Sequence, residues 1–295
     1  MSTPFFRFAA AAAVAPLLAG AALAQDITLG TGVFPESMAA TAGGDLLIGS
    51  FMQGTVYRAA AGASAAEPWL TGVAPIITGV FASGDTVYVC ANGAFGSNEA
   101  NLKTFDLASG QETAAMPFPD GGFCSDIAVA ADGTVYVTDL NFVEGQPGRL
   151  LRVVDGALEV VLSDPMLRGV DGIAFLGDRL ILNDLFTGAL YDVDTSAQPA
   201  TFSTLTLSEP LQGPDGMRTS DDGASLLIVE QYGNRLVSVT LDGTMATVTP
   251  IATDLTGPAG VAQVGTTAYV AEAHFAEMQS GEDPGVFSVR AVPLN

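Results

Sequence analysis

Basic residues are scarce in this chain. Ten Lys and Arg, with Lys103 the only lysine, stand against 32 Asp and Glu, for a formal charge of −22. Binding to phosphate backbones or anionic headgroups needs clustered cations that release counterions, so nucleic acid and anionic membrane surfaces are excluded as partners. His274 is the only histidine, and Cys90 and Cys124 are the only cysteines. That leaves zinc few of its usual three or four nitrogen and sulfur ligands. No Gly-x-Ser-x-Gly elbow, Gly-x-x-x-x-Gly-Lys phosphate loop, His-Glu-x-x-His helix or Cys-x-x-Cys pair is present. Beyond residue 24 no run approaches about 18 consecutive apolar residues, so no membrane-spanning helix is expected there.

What is abundant is apolar and turn-forming: 48% hydrophobic residues, 34 glycines and 16 prolines. The N-terminus carries Arg7, an apolar stretch from Phe8 to Ala22, and Ala22-Leu23-Ala24 ahead of the polar Gln25-Asp26. This pattern predicts a cleaved export signal over residues 1–24, followed by one domain over residues 25–295. A transmembrane anchor is the poorer reading, because the stretch is short and Ala-rich. A periplasmic or secreted destination follows, with no membrane attachment after cleavage. In that oxidising setting Cys90 and Cys124 suggest one disulfide, with two separate buried thiols as the alternative.

The chain repeats. Units open at Glu36-Ser37-Met38, Thr78-Gly79-Val80, Asp126-Ile127-Ala128, Asp171-Gly172-Ile173, Asp215-Gly216-Met217 and Ala259-Gly260-Val261, spaced by 42, 48, 45, 44 and 44 residues. Each opening leads to a Gly- or Asp-containing turn and then a β-rich run, such as Val135-Tyr136-Val137 or Leu180-Ile181-Leu182. A period of roughly 45 residues with four short strands per unit is that of propeller blades. The predicted fold is all-β, a six-bladed β-propeller with four-stranded blades. Its last unit is one strand short, and Ile27-Thr28-Leu29 is expected to supply that strand and close the ring.

Equivalent positions of a propeller converge on the central channel. The first such column reads Glu36, Thr78, Asp126, Asp171, Asp215 and Ala259. Gathered carboxylates repel one another and require hydration, protonation or a cation, and Ca²⁺ suits an all-oxygen donor set better than Zn²⁺. A second column, Ser50, Ala91, Asp139, Asp184, Glu230 and Glu272, is expected beside the first as supporting or rim groups, with Asn183 and Asn141 adjacent; solvated loop acids are the alternative. His274 follows the last of these strands and is a candidate substrate or proton-transfer group at the mouth. Phe142, Phe186, Tyr232 and Phe275 occupy similar places and could wall a small ligand, whereas Trp69 and Phe95 are ambiguous between packing and binding.

Four motifs in register, Phe34-Pro35-Glu36-Ser37, Cys124-Ser125-Asp126, Val170-Asp171-Gly172-Ile173-Ala174-Phe175 and Gly213-Pro214-Asp215-Gly216-Met217, resemble those of the gluconolactonase and regucalcin (senescence marker protein-like) family of six-bladed propellers. The resemblance implies one divalent cation at the channel mouth, held by Glu36, Asp171 and Asp215. It places Ser125 and Asp126 at the substrate, where the repeat positions of Asn183 and His274 make them further candidates. It also implies hydrolysis of a small lactone or ester, with Asp215 accepting a proton and Asp126 assisting. Two departures stand out: this chain has Asp171 where the family has Asn, and Ser125 where the family has Asn. The competing reading is a non-catalytic exported propeller that binds a small ligand or a protein partner and carries a structural calcium. A third is another propeller enzyme, of arylesterase or strictosidine synthase-like type. A monomer acting on a small molecule is expected.

Overall fold

A computed structural model describes residues 24–142 and 146–294. The expected export signal, apart from its last residue, lies outside these residues. Six antiparallel sheets follow one another along the chain. Their first strands are Pro35–Ala40, Ile76–Ser83, Cys124–Val129, Val170–Leu176, Pro214–Thr219 and Pro258–Val264. Each first strand is followed outward by the next three strands in sequence order, except in the sixth blade. There Val286–Pro293 pairs with Ile27–Thr31, with Ile27 opposite Val289, so the start of the described chain closes the ring as predicted. The fifth blade gains a fifth strand, Thr206–Leu207, parallel to Met245–Ala252. Among the described residues no helix is long and apolar enough to cross a membrane.

The apolar residues form six clusters, each between two neighbouring blades. One joins Met38 and Ile48 of the first blade to Ala271 and Phe287 of the sixth. Another joins Cys90 and Leu102 of the second to Ile127 and Val137 of the third. Strands near the axis are covered on both faces, which is why runs such as Leu46-Leu47-Ile48 and Leu226-Leu227-Ile228 are continuously apolar rather than alternating.

Two features of the first strands place the site. Every one of the six loses register with its neighbour near the first-column residue, between Pro35 and Ser37, Ile77 and Val80, Cys124 and Ile127, Val170 and Ile173, Pro214 and Met217, and Pro258 and Gly260. Such a bulge re-aims a side chain that regular pleating would turn into a sheet face. In four blades the residue after the column position is glycine, and close approach explains it. A Cβ on Gly172 would stand 2.4 Å from the Asp215 carbonyl oxygen, one on Gly216 2.4 Å from that of Ala259, and one on Gly260 2.6 Å from that of Glu36. The Asp-Gly pairs are therefore blade-to-blade contacts rather than turns.

The second column departs from the expectation. Its carboxylates are fully or almost fully buried, and they bond to the loop that enters their own blade instead of supporting the ring. Asp184 accepts from the backbone N–H groups of Arg168, Gly169, Phe186 and Thr187 at 3.0–3.1 Å. Asp139 accepts from Phe123 and Asn141 and pairs with Arg149 at 2.6 Å. Glu230 accepts from Gln212 and binds Arg235, while Glu272 accepts from Thr256. Ser50 donates to the Val33 carbonyl. They are loop clasps, and a buried carboxylate is suited to this because it can accept several N–H bonds at once. Cys90 and Cys124 are bonded to each other, tying the second strand of blade two to the first strand of blade three.

Candidate functional site: an acidic ring over a buried arginine

The bulges bring Glu36, Asp126, Asp171 and Asp215 to the axis, each at most 8% exposed. Thr78 takes the corresponding place in the second blade, where it donates to the Cys124 carbonyl and receives a hydrogen bond from Asn92. Ala259 completes the ring.

The four acids are not equivalent. Arg218, from the first strand of blade five, crosses the channel and binds Asp126 with both terminal nitrogens, Nη1 to Oδ2 at 2.6 Å and Nη2 to Oδ1 at 3.0 Å. The same guanidinium donates to the carbonyls of Met38 and Val80 and lies 5.5 Å from the ring centre of Phe81. Met38 and Val80 each follow a first-column residue by two positions, so Arg218 occupies the layer of the channel beneath the acids. It ties together four of the six blades.

Glu36, Asp171 and Asp215 have no such partner. Burial, and then the charges of Asp215, Asp171 and Asp126, push the Glu36 carboxyl well up, with Arg218 opposing as the smallest of these influences. Its Oε2 is buried without a hydrogen-bond partner. Burial also raises Asp171, to about 7, against hydrogen bonds from Ser125 and Asp215 that favour its anion. Asp215 is raised well above the ordinary range by burial and by Asp171 and Asp126. Asp171 and Asp215 are neighbours in the ring, and each acts on the titration of the other. Gln231 donates to Asp215 from the rim, Nε2 to Oδ2 at 3.1 Å.

Three buried carboxylates without a basic partner, one with an orphaned oxygen, match the chemistry of a hard divalent cation, which takes oxygen ligands and supplies the missing charge. In the arrangement observed among the described residues, no three acidic, His or Cys side chains yet converge on a common point for an ion.

The other predicted site residues divide. Ser125 is buried and gives its hydroxyl to Asp171, inside the ring. Asn183 is fully buried and both ends of its amide serve backbone: Oδ1 accepts from Gly172 N–H, and Nδ2 donates to the Asp215 carbonyl. It positions two ring residues and presents no free polar group to a ligand. Thr138 does the same between Asp126 and Asp171. His274 caps the short helix Phe275–Ser280, meets Glu277 through Nδ1 at 3.1 Å and stands edge-on to Phe287. Trp69 lies on the outermost strand of blade one under the Arg58 guanidinium. Arg218 and Gln231 are the polar groups that sequence reasoning passed over. For Arg218 the signal was present, since it is the only basic residue in any of the six first strands.

No protein-family model matches the sequence, and no curated protein does. Solved structures match over most of the chain at low identity. A gluconolactonase from Xanthomonas campestris has a TM-score of 0.66 at 16% identity, covering 89% of this chain and 87% of that one. A regucalcin from Agrobacterium tumefaciens, a calcium-binding protein, has 0.64 at 13%, covering 91% and 97%. Virginiamycin B lyase from Staphylococcus aureus has 0.61 at 19%, covering 84% and 81%. The shared property is the propeller fold. The named activities differ, so function must be argued from the ring.

Proposed function

We propose that the protein is an exported hydrolase of small lactones or esters that binds one divalent cation, calcium before zinc, through Glu36, Asp171 and Asp215. The observation that carries this reading is the buried, unpartnered Oε2 of Glu36 beside two further unneutralised carboxylates. The gluconolactonase and regucalcin among the structural neighbours support it. A bound cation supplies Lewis acidity toward a carbonyl oxygen and toward water. The chain supplies the proton chemistry: Asp215, oriented by Gln231, would take the proton of an attacking water in its anionic form, which ligation of a cation favours over the protonated form that burial alone promotes. Breaking the acyl–oxygen bond then releases an alkoxide that is reprotonated from the same group. Asp126, gripped by Arg218, is a positioning residue for the ring rather than a proton carrier. Ser125 orients Asp171.

The test is elemental analysis of the mature protein beside Asp215→Asn and Glu36→Gln, followed by a lactone and ester screen. About one calcium or zinc per chain, lost in both variants together with turnover, supports the proposal. Absence of metal after calcium is supplied to folded protein removes it and leaves a ligand-binding propeller whose ring is protonated.

A further inference from the structure

Each blade places an aromatic residue one to three positions after its second strand. These are Phe51, Phe95, Phe142, Phe186, Tyr232 and Phe275, following strands that end at Ser50, Asn92, Asp139, Asp184, Glu230 and Glu272. Second strands end where first strands begin, so all six stand on the face onto which the acidic ring opens. Phe51 packs against both Phe95 and Phe275, at 5.5 and 5.2 Å between centroids, linking blades one, two and six. Phe142 meets Phe123 at 4.8 Å. Phe186 lies over Gly169 and Tyr232 over Gly213, where a Cβ would meet either ring at 2.4 Å. Four of the six are more than half exposed: Phe95, Phe142, Phe186 and Tyr232. They are also the only aromatic members among the exposed large apolar side chains of the described residues.

Exposed aromatics confined to one face of a strongly acidic chain mark a binding surface. Between Phe95, Phe123 and Phe142 the face is indented by a cavity of about 390 Å³, lined also by Ala94, Ser97 and Asn98. That volume lies within the roughly 300–1,000 Å³ of small-molecule sites. Two of its lining residues, Gly122 and Phe123, run directly into Cys124-Ser125-Asp126, the start of the strand that carries the third blade's acid. A polyhydroxylated sugar lactone needs several convergent donors and acceptors around its hydroxyls. The cavity itself offers π-faces and, of polar side chains, only Ser97 and Asn98.

Resting on the hydrolase reading above, we infer that the six-fold aromatic crown selects an apolar lactone or ester, with its alkyl or aryl substituent seated in the Phe95–Phe123–Phe142 cavity and its carbonyl toward the acids. The charge of the chain argues against an anionic lipid surface as the occupant. A protein face or a second copy of the chain is kept as an outcome of the test.

The experiment titrates the mature protein with the neutral fluorescent probe N-phenyl-1-naphthylamine and displaces it with γ-dodecalactone or with glucono-δ-lactone. The proteins compared are the wild type, Phe95→Ala/Phe142→Ala and, as a control for exposed apolar surface elsewhere, Met245→Ser. The expected result is saturable binding displaced by the alkyl lactone only. It should be weakened about tenfold or more in the double Phe variant, and unchanged in Met245→Ser. Equal displacement by the sugar lactone, or binding indifferent to the two Phe substitutions, overturns the inference. So does a dimer of the wild type, seen in sedimentation, that the double Phe variant dissolves. Crown-dependent probe binding without hydrolysis of any lactone or ester would remove the hydrolase reading while leaving the apolar-ligand site standing.

Discussion

Arg218 and Asp126, 92 residues apart in sequence, meet inside the channel through a two-point contact between a guanidinium 12% exposed and a carboxylate 6% exposed. A pair this dry contributes little compared with an apolar substitute, but breaking it is costly, because the surviving charge stays buried. Arg218 also carries the carbonyls of Met38 and Val80, so its loss unties the first two blades from the axis.

Arg218→Met is therefore expected to destabilise the protein by about 3–5 kcal/mol. Adding Asp126→Asn to it should recover the larger part, since the buried anion disappears with its partner. Thermal or urea unfolding of the two single variants and the double closes the cycle. Single-variant costs that simply add would show that the two residues are not coupled.

The pH dependence of stability follows from the unneutralised acids. Burial raises Glu36, Asp171 and Asp215 in the folded state, Asp171 to about 7, whereas in the unfolded chain they titrate near ordinary carboxylate values. Between roughly pH 4 and 7 the folded protein then holds more protons than the unfolded one, and stability falls as pH rises. Without divalent metal, the melting temperature should decline from pH 5 to pH 8. Calcium should restore it, and more at pH 8 than at pH 5, because ligation requires the deprotonated groups. A metal-free melting temperature that rises over this interval would contradict the assignment of three unpartnered buried acids.

Much of this architecture was legible because it is written locally. Turn residues and β-rich runs recur every 42 to 48 residues, and the missing strand at one end of the chain is matched by Ile27-Thr28-Leu29 at the other. The acids of the ring were legible for the same reason, as a column in that repeat. Arg218 was not, although it stood in plain sight after Asp215-Gly216-Met217, since its partner is set by the diameter of the channel and no spacing encodes that. The second column was misjudged for a different reason. An acid ending a second strand can turn toward the axis or toward the loop behind it, and only the buried N–H groups of residues such as Arg168 and Gly169 decide which. Phe51 escaped notice as a member of the crown because it follows its strand by one residue where the others follow by two or three, and Phe95 because its strand runs one residue past the column position Ala91 that aligns the repeat.

Asp184 puts that correction to a direct test. Four backbone N–H groups converge on its two oxygens, two on each, from the loop before Val170 and the turn after the second strand. Asp184→Ala strands those donors beneath a fully buried site, which should cost about 3–5 kcal/mol given the usual worth of hydrogen bonds to a charged group. That corresponds to a fall in melting temperature of roughly 10 °C for a chain of this size. Asp184→Asn, which keeps one acceptor oxygen, should fall between the two, and Asp242→Ala on an exposed hairpin should stay within about 0.5 kcal/mol of the wild type. If Asp184 clasps the loop rather than supporting the ring, cation affinity measured on the folded Asp184→Asn protein should be essentially that of the wild type. Loss of the cation at unchanged stability would instead return Asp184 to the supporting place beside Asp171 that its sequence position first suggested.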